Sequence, residues 1–162
     1  MKELLIMRHA KSAWDVSYST DFERPLNKRG RKAALRMGEF VADRGLLPDL
    51  IVSSPAERAK QTSGLFAEAA GYDVEIQFEQ GIYHAYGDEL LEIVQALPDE
   101  AERVMLVGHN PGFEMLVQQL CGGAVRMPTA AIAYVWLSTA GWKEVDVEMG
   151  ELQWLLTPKL LE

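Results

Sequence analysis

The chain has 162 residues and a mass of 18.1 kDa, the size of one domain, and a composition of 48% hydrophobic and 25% charged residues suits a folded globular protein. Sixteen Lys and Arg against 24 Asp and Glu leave a net charge of −8, which argues against nucleic-acid or anionic-membrane partners, since these need a basic face. No run approaches the roughly 20 apolar residues of a membrane span, the apolar run in MKELLIMRHA is too short for a signal peptide, and the single Cys121 excludes an internal disulfide framework or a thiolate zinc cluster. The expectation is one cytoplasmic domain over residues 1–162.

In chain order, Leu4 to Met7 is wholly apolar, as in a strand buried on both faces. Asp15 to Pro25 is polar and aperiodic and reads as a surface loop. Asn27 is placed to cap a helix from about Lys28 to Arg44, with Ala33, Ala34, Met37, Phe40 and Val41 at helical spacing and Gly45 beyond its end. Leu50 to Val52 makes a second strand. Ser54-Pro55 opens a helix to about Ala70, with Gly71 past its end. Val74, Ile76 and Phe78 alternate with polar residues as a half-exposed strand does. Asp88 starts a helix through Leu97 that Pro98 closes, Arg103 to Val107 is a fourth strand, and Pro111 opens a helix to about Leu120. Ile132 to Leu137, Val145 to Met149 and Leu152 to Leu156 read as strands separated by turns at Thr139-Ala140-Gly141 and Gly150, the last two as antiparallel partners. Alternating strands and helices followed by a hairpin predict an α/β three-layer sandwich, a mixed, mostly parallel sheet flanked by helices. Ligands of such sheets bind beyond the carboxyl ends of strands.

Three strand ends carry the chemistry: Arg8-His9-Ala10-Lys11-Ser12, Ser53-Ser54-Pro55-Ala56-Glu57-Arg58, and Gly108-His109-Asn110-Pro111-Gly112. Singly, each has an ordinary reading, a satisfied polar histidine for His9 or His109 and a solvated charge for Arg58. Together they bring two histidines, two arginines and two helix N-termini to one crevice of an acidic chain, a pattern suited to holding phosphate. Neutral imidazole is a good nucleophile near pH 7, arginine forks bind phosphoryl oxygens in pairs, and helix N-termini add N–H donors. These residues predict that His9 attacks phosphorus while Arg8, Arg58 and His109 bind its oxygens, His109 as the imidazolium during transfer. Water then hydrolyses the phosphohistidine. The cations take the role a metal would fill, so neither metal nor other cofactor is expected.

In these residues the chain resembles the histidine phosphatase superfamily, which includes the cofactor-dependent phosphoglycerate mutases and many phosphatases. The Arg-His-Gly signature stands as Arg8-His9-Ala10, with Ser12 and Trp14 in matching positions, the second-helix arginine as Arg58 and the second histidine as His109, and Leu26-Asn27-Lys28-Arg29-Gly30 is similar to the segment before the first helix. The resemblance implies a phosphoglycerate mutase-like fold. Short length and the run from Leu106 to Gly112 most resemble the SixA-type phosphohistidine phosphatases, which implies phosphohistidine on a signalling protein as substrate. Small phosphate esters are the alternative in the same class, and a catalytically silent phospho-binding module the alternative in another.

Several positions depart from the family pattern. Ala10 replaces the usual glycine, which matters only if its φ is positive. Lys11 stands where mutases carry glutamate, and Asp15 where they carry an asparagine on phosphate. The family takes its general acid from a carboxylate after the third strand; Glu79 is the nearest counterpart here, with Asp88 and Glu89 a few residues on, His84 as an alternative proton donor, and a P–N substrate needing no dedicated acid as the further alternative. Ser12, Lys11 and His84 are candidates for phosphate contact or the rim. Tyr83 and Tyr86 are candidates for crevice walls, and Trp136, Trp142 and Trp154 for core.

Overall fold

A computed structural model describes residues 1–17, 19–73 and 75–162. The polypeptide winds through β1 (Lys2–Arg8), α1 (Lys28–Asp43), β2 (Leu50–Ser53), α2 (Glu57–Ala70), β3 (Gln77–Phe78), α3 (Gly87–Gln95), β4 (Arg103–Gly108), α4 (Gly112–Cys121), β5 (Ile132–Leu137) and β6 (Gly150–Leu156). One six-stranded sheet has the order β3-β2-β4-β1-β5-β6. The β3–β2, β2–β4 and β4–β1 pairs are parallel, and β5 runs antiparallel to both β1 and β6. The sheet is therefore mixed and mostly parallel, as expected.

Alternation along the buried strands sorts side chains into two cores. Leu4, Ile6, Val104 and Leu106 pack with Leu90, Val94, Phe113 and Leu116 of α3 and α4. Leu5, Met7, Met105 and Val107 pack with Met37, Val41 and Phe66 of α1 and α2. A strand covered on both faces loses its polar alternation, which is why β1 and β4 read as continuous apolar runs. The three layers follow: α1 and α2, the sheet, then α3 and α4.

Local chemistry sets the helix ends. The Asn27 side chain accepts the Gly30 N–H at the start of α1, and Gly71 takes the left-handed conformation after α2. Helix α2 begins at Glu57 rather than at Pro55, because Ala56 is still extended. Helix α3 begins at Gly87 behind Tyr86 and ends at Gln95; Asp88 does not cap it, and its carboxylate accepts from Gln119 instead. Strand β3 holds only Gln77 and Phe78, both exposed, and Val74 lies outside the described residues, as does Tyr18 in the expected surface loop. That loop contains a 3-10 turn at Asp21–Glu23, and Arg24 after it is buried.

The tail corrects one expectation. Val145 to Met149 is not a strand: Trp142–Glu144 forms a 3-10 turn and Glu148 has φ 60°. The segment is tied to helices instead, with Gln95 donating to the Val145 carbonyl and Glu148 N–H to the Gln119 carbonyl. Gly150 is not a turn but the first residue of β6, and β6 pairs with β5.

Candidate active site

Register brings the three strand ends to one edge. Met7 lies opposite Val107, Arg8 opposite Gly108, and Ser53 opposite Val107. One residue further on, His9 N–H donates to the Gly108 carbonyl and Ser54 N–H to the Val107 carbonyl, both at 2.9 Å. The side chains of His9 and His109 emerge side by side, ring centroids 5.2 Å apart and planes tilted by 54°.

His9 is 7% exposed. Its Nδ1 lies 2.7 Å from the Ala10 carbonyl oxygen, and a carbonyl only accepts, so the proton is assigned to Nδ1 and the lone pair to Nε2. Burial lowers the His9 pKa to about 3; the Ala10 hydrogen bond opposes that shift, and the charges of Arg58, Arg8 and Arg24 add to it. The ring is thus a neutral nucleophile far below pH 7. Ala10 is absent from the positive-φ residues, so its methyl group costs no backbone strain. Its N–H donates to Thr62 Oγ1 at 2.9 Å, and the Thr62 hydroxyl donates to the Arg58 carbonyl at 2.7 Å. Thr62 thereby joins the turn after β1 to the first turns of α2.

Three guanidinium groups surround this ring. Arg8 donates to the Met127 carbonyl at 3.0 Å, and Glu114, which accepts the Met127 N–H at 2.6 Å, favours its charge against burial. Arg58 donates to the Asp21 carbonyl at 2.8 Å and to its carboxylate at 3.1 Å. Arg24 donates to the Ser12 hydroxyl and to the Asp21 carboxylate, and its guanidinium lies 3.7 Å from the Trp14 ring centroid. The Nε donors of all three arginines are buried without a partner among the described residues. Buried donors of this kind are expected to meet an acceptor.

Asp21 gathers the rim. Its carboxylate accepts from Arg58, Arg24 and the Tyr83 hydroxyl. Burial pushes its pKa up, but those hydrogen bonds and the two arginine charges outweigh it and hold it at about 2.

His109 Nε2 lies 2.8 Å from Ser54 Oγ, and its Nδ1 is buried without a partner among the described residues. Burial lowers its pKa to about 3; His9, Arg58 and His84 push the same way and Asp21 opposes them. At pH 7 it is therefore neutral here, and the imidazolium expected during transfer needs an arriving phosphoryl charge. Helix α4 starts close behind: the Phe113 N–H donates to the His109 carbonyl. Its Gly112 packs so tightly that a Cβ would lie 2.2 Å from the Ala85 carbonyl oxygen.

The structure places Arg8, His9, Arg58 and His109 together at this edge, and Arg24, Asp21 and Thr62 join them unforeseen. Arg24 stands alone in a polar, aperiodic run, and its partners Ser12 and Trp14 lie about a dozen residues upstream, so no local pattern marks it. Ser12 supports Arg24. His84 is exposed on the rim with φ 63°, its ring 3.9 Å from that of Tyr83, which meets His109 edge-on at 5.5 Å. Tyr83 is a wall; Tyr86 precedes α3, its N–H bonded to Glu89. Glu79 turns onto the Gly81 N–H and lines a separate hollow with Glu89 and Glu92. Lys11 points into another hollow, against α1 and the residues after β6. Asp15 is exposed. Among the described residues no three His, Cys, Asp or Glu side chains are grouped to hold a metal ion.

A three-layer fold with this strand order and two strand-end histidines is the phosphoglycerate mutase-like class of α/β proteins. The chain belongs to the histidine phosphatase superfamily (branch 1), whose family model matches residues 4–87. The structure of the protein histidine phosphatase SixA complexed with tungstate superposes with a TM-score of 0.86 at 24% identity, covering 99% of each chain. A protein of Agrobacterium tumefaciens assigned to the SixA phosphohistidine phosphatases superposes at 0.82 with 30% identity, over 97% of this chain and 98% of its own. An uncharacterized protein of Mycobacterium tuberculosis is 32% identical over 155 residues, 86% of this chain and 92% of its own. Family and neighbours together support phosphatase activity. No helix among the described residues is long and apolar enough to cross a membrane.

Proposed function

We propose that this chain, working as one domain in the cytoplasm, is a metal-independent phosphatase that forms a covalent phosphohistidine on His9 and removes phosphate from phosphohistidine of a signalling protein. The observation that carries the reading is the His9 ring: Nδ1–H held on the Ala10 carbonyl, Nε2 left as lone pair, among buried Nε donors of Arg8, Arg24 and Arg58. Nε2 attacks phosphorus, the substrate P–N bond breaks, and the leaving imidazole takes a proton from solvent. Water then attacks phospho-His9, releasing phosphate and restoring the neutral ring. The guanidinium groups hold the non-bridging oxygens, and His109, protonated as negative charge accumulates, donates to one of them.

The substrate class rests on the acid. Among the described residues the carboxylate that touches the site's cations is Asp21, held ionised at about 2, while Glu114 acts on Arg8 only through its charge and accepts the Met127 N–H. Asp21 is not suited to protonate an alkoxide leaving group near neutral pH, Glu114 is engaged by the Met127 N–H, and Glu79 is turned onto Gly81. A P–N bond makes the smaller demand, because its leaving imidazole is protonated by water. The test is phosphate release, with chelator present, from a chemically phosphorylated histidine-containing phosphotransfer protein and from an alkyl phosphate ester, glycerol phosphate, whose alkoxide leaving group needs an acid. Release from the protein substrate that far outpaces the ester supports the reading. Release from the ester alone replaces the substrate by a small phosphate ester, and silence on both leaves only a phospho-binding module.

A further inference from the structure

Beside the crevice lies a concave hollow of about 590 Å³ walled by Lys11, Arg29, Lys32, Arg36 and Lys159, together with Pro128, Thr129 and Glu162. Five of the chain's sixteen Lys and Arg line this one hollow of a protein with net charge −8, and all five are exposed. Among the described residues none of the five is in an ion pair, and only Arg36 has a side-chain hydrogen bond, to the Leu161 carbonyl.

The hollow opens at the same edge of the sheet as the crevice. Met7 pairs with Ile132 and Ile132 with Leu156, so the residues after β6 lie two strand spacings from those after β1, about 10 Å. The two share a wall: Lys11 follows His9 by two residues, Thr129 precedes Ala130, whose N–H donates to the His9 carbonyl, and Pro128 follows Met127, which holds Arg8. The cations are also placed against helix energetics. The first turn of α1 carries no acidic residue, while Lys28, Arg29, Arg31 and Lys32 crowd its N-terminus, where the macrodipole favours carboxylates. Arg31 donates to the Leu26 carbonyl, but for Arg29 and Lys32, which have no such bond among the described residues, charge kept in a destabilising place points to a use outside the fold.

We infer that this basic hollow docks an acidic segment of the phosphorylated protein whose phosphohistidine enters the His9 crevice, an inference that rests on the proposed phosphoprotein substrate. Long, exposed lysines and arginines suit an acidic protein surface, which they steer and follow.

The test compares the parent chain with the double variant Arg29→Glu/Lys32→Glu. The substrates are the phosphorylated phosphotransfer protein and phosphoramidate, a small P–N compound, and the thermal midpoint of both chains is measured. On the protein substrate, KM of the variant rises by about tenfold or more at low salt while kcat holds, and the gap narrows as salt rises from about 50 to about 300 mM. On phosphoramidate the two chains match, and Tm of the variant is no lower than that of the parent. Poly-glutamate peptide inhibits hydrolysis of the protein substrate by the parent only. Equal KM values on the protein substrate overturn the docking site and leave the phosphatase reading intact. An oligonucleotide that competes where poly-glutamate does not overturns it as well. A parent chain that hydrolyses phosphoramidate but never the phosphoprotein overturns the substrate reading and the docking site together.

Discussion

The crevice and the hollow next to it both collect cations in an acidic protein, but the two regions treat them differently. In the crevice Arg58 and Arg24 are buried, aimed by Asp21, Ser12 and Trp14, and each keeps one Nε donor in reserve. In the hollow the cations are exposed and none is in an ion pair among the described residues. Burial gives geometry and a strong field in low dielectric; exposure gives reach and a field that salt screens. A phosphoryl group that must meet one nitrogen atom needs the former, and a partner surface arriving by diffusion the latter.

The largest expected break of that contrast is in the crevice. Arg58→Ala removes a buried, oriented guanidinium and should lower kcat by about 10²- to 10³-fold. Arg58→Lys should recover little of that, because a point charge cannot replace the planar fork. Steady-state phosphate release reads both, and an Arg58→Lys rate near that of the parent would show that only charge matters there.

The second is a pH effect. His9 and His109 are held neutral with pKa values of about 3 against an ordinary 6.5. The unfolded chain therefore binds more protons than the folded one below pH 6.5, so stability is full above that value and is lost as pH falls toward 3. For the buried His9 ring the loss is on the order of a few kcal/mol, and the partly exposed His109, whose shift is owed in part to His9, adds in the same direction. Denaturant titrations between those limits should show it, and His9→Gln should flatten part of the slope; an unchanged slope would mean that the ring titrates normally.

The smallest concerns Ala10. With φ outside the positive region, Ala10→Gly should leave activity unchanged and lower stability by about 1–2 kcal/mol, through the looser unfolded chain and the loss of a fully buried methyl group. Higher activity in the glycine variant would show that the methyl group crowds the crevice.

Much of the crevice was legible because its residues follow strands whose apolar runs are unbroken. Leu4 to Met7 and Val104 to Val107 mark buried parallel strands, and the parallel sheet then places His9, Ser54 and His109 at one edge without further information. What stayed hidden depends on contacts distant in the chain or on side-chain direction. Arg24 reaches the site through Ser12 and Trp14 across a loop with no periodicity. Lys11, two residues from His9, points instead into the hollow, a choice that spacing cannot show. In the tail, Val145 and Val147 alternate as a strand does, but hydrogen bonds to Gln95 and Gln119 and the left-handed Glu148 decide otherwise.

The central claim is that His9 carries the phosphoryl group. Mixing the chain with a phosphotransfer protein labelled on its phosphohistidine, quenching in base where P–N bonds survive, and mapping the label tests it most directly. The account predicts transient label on His9 during turnover, and neither label nor turnover in a folded His9→Ala variant. Turnover that persists in that variant, or label found on another residue, would contradict it.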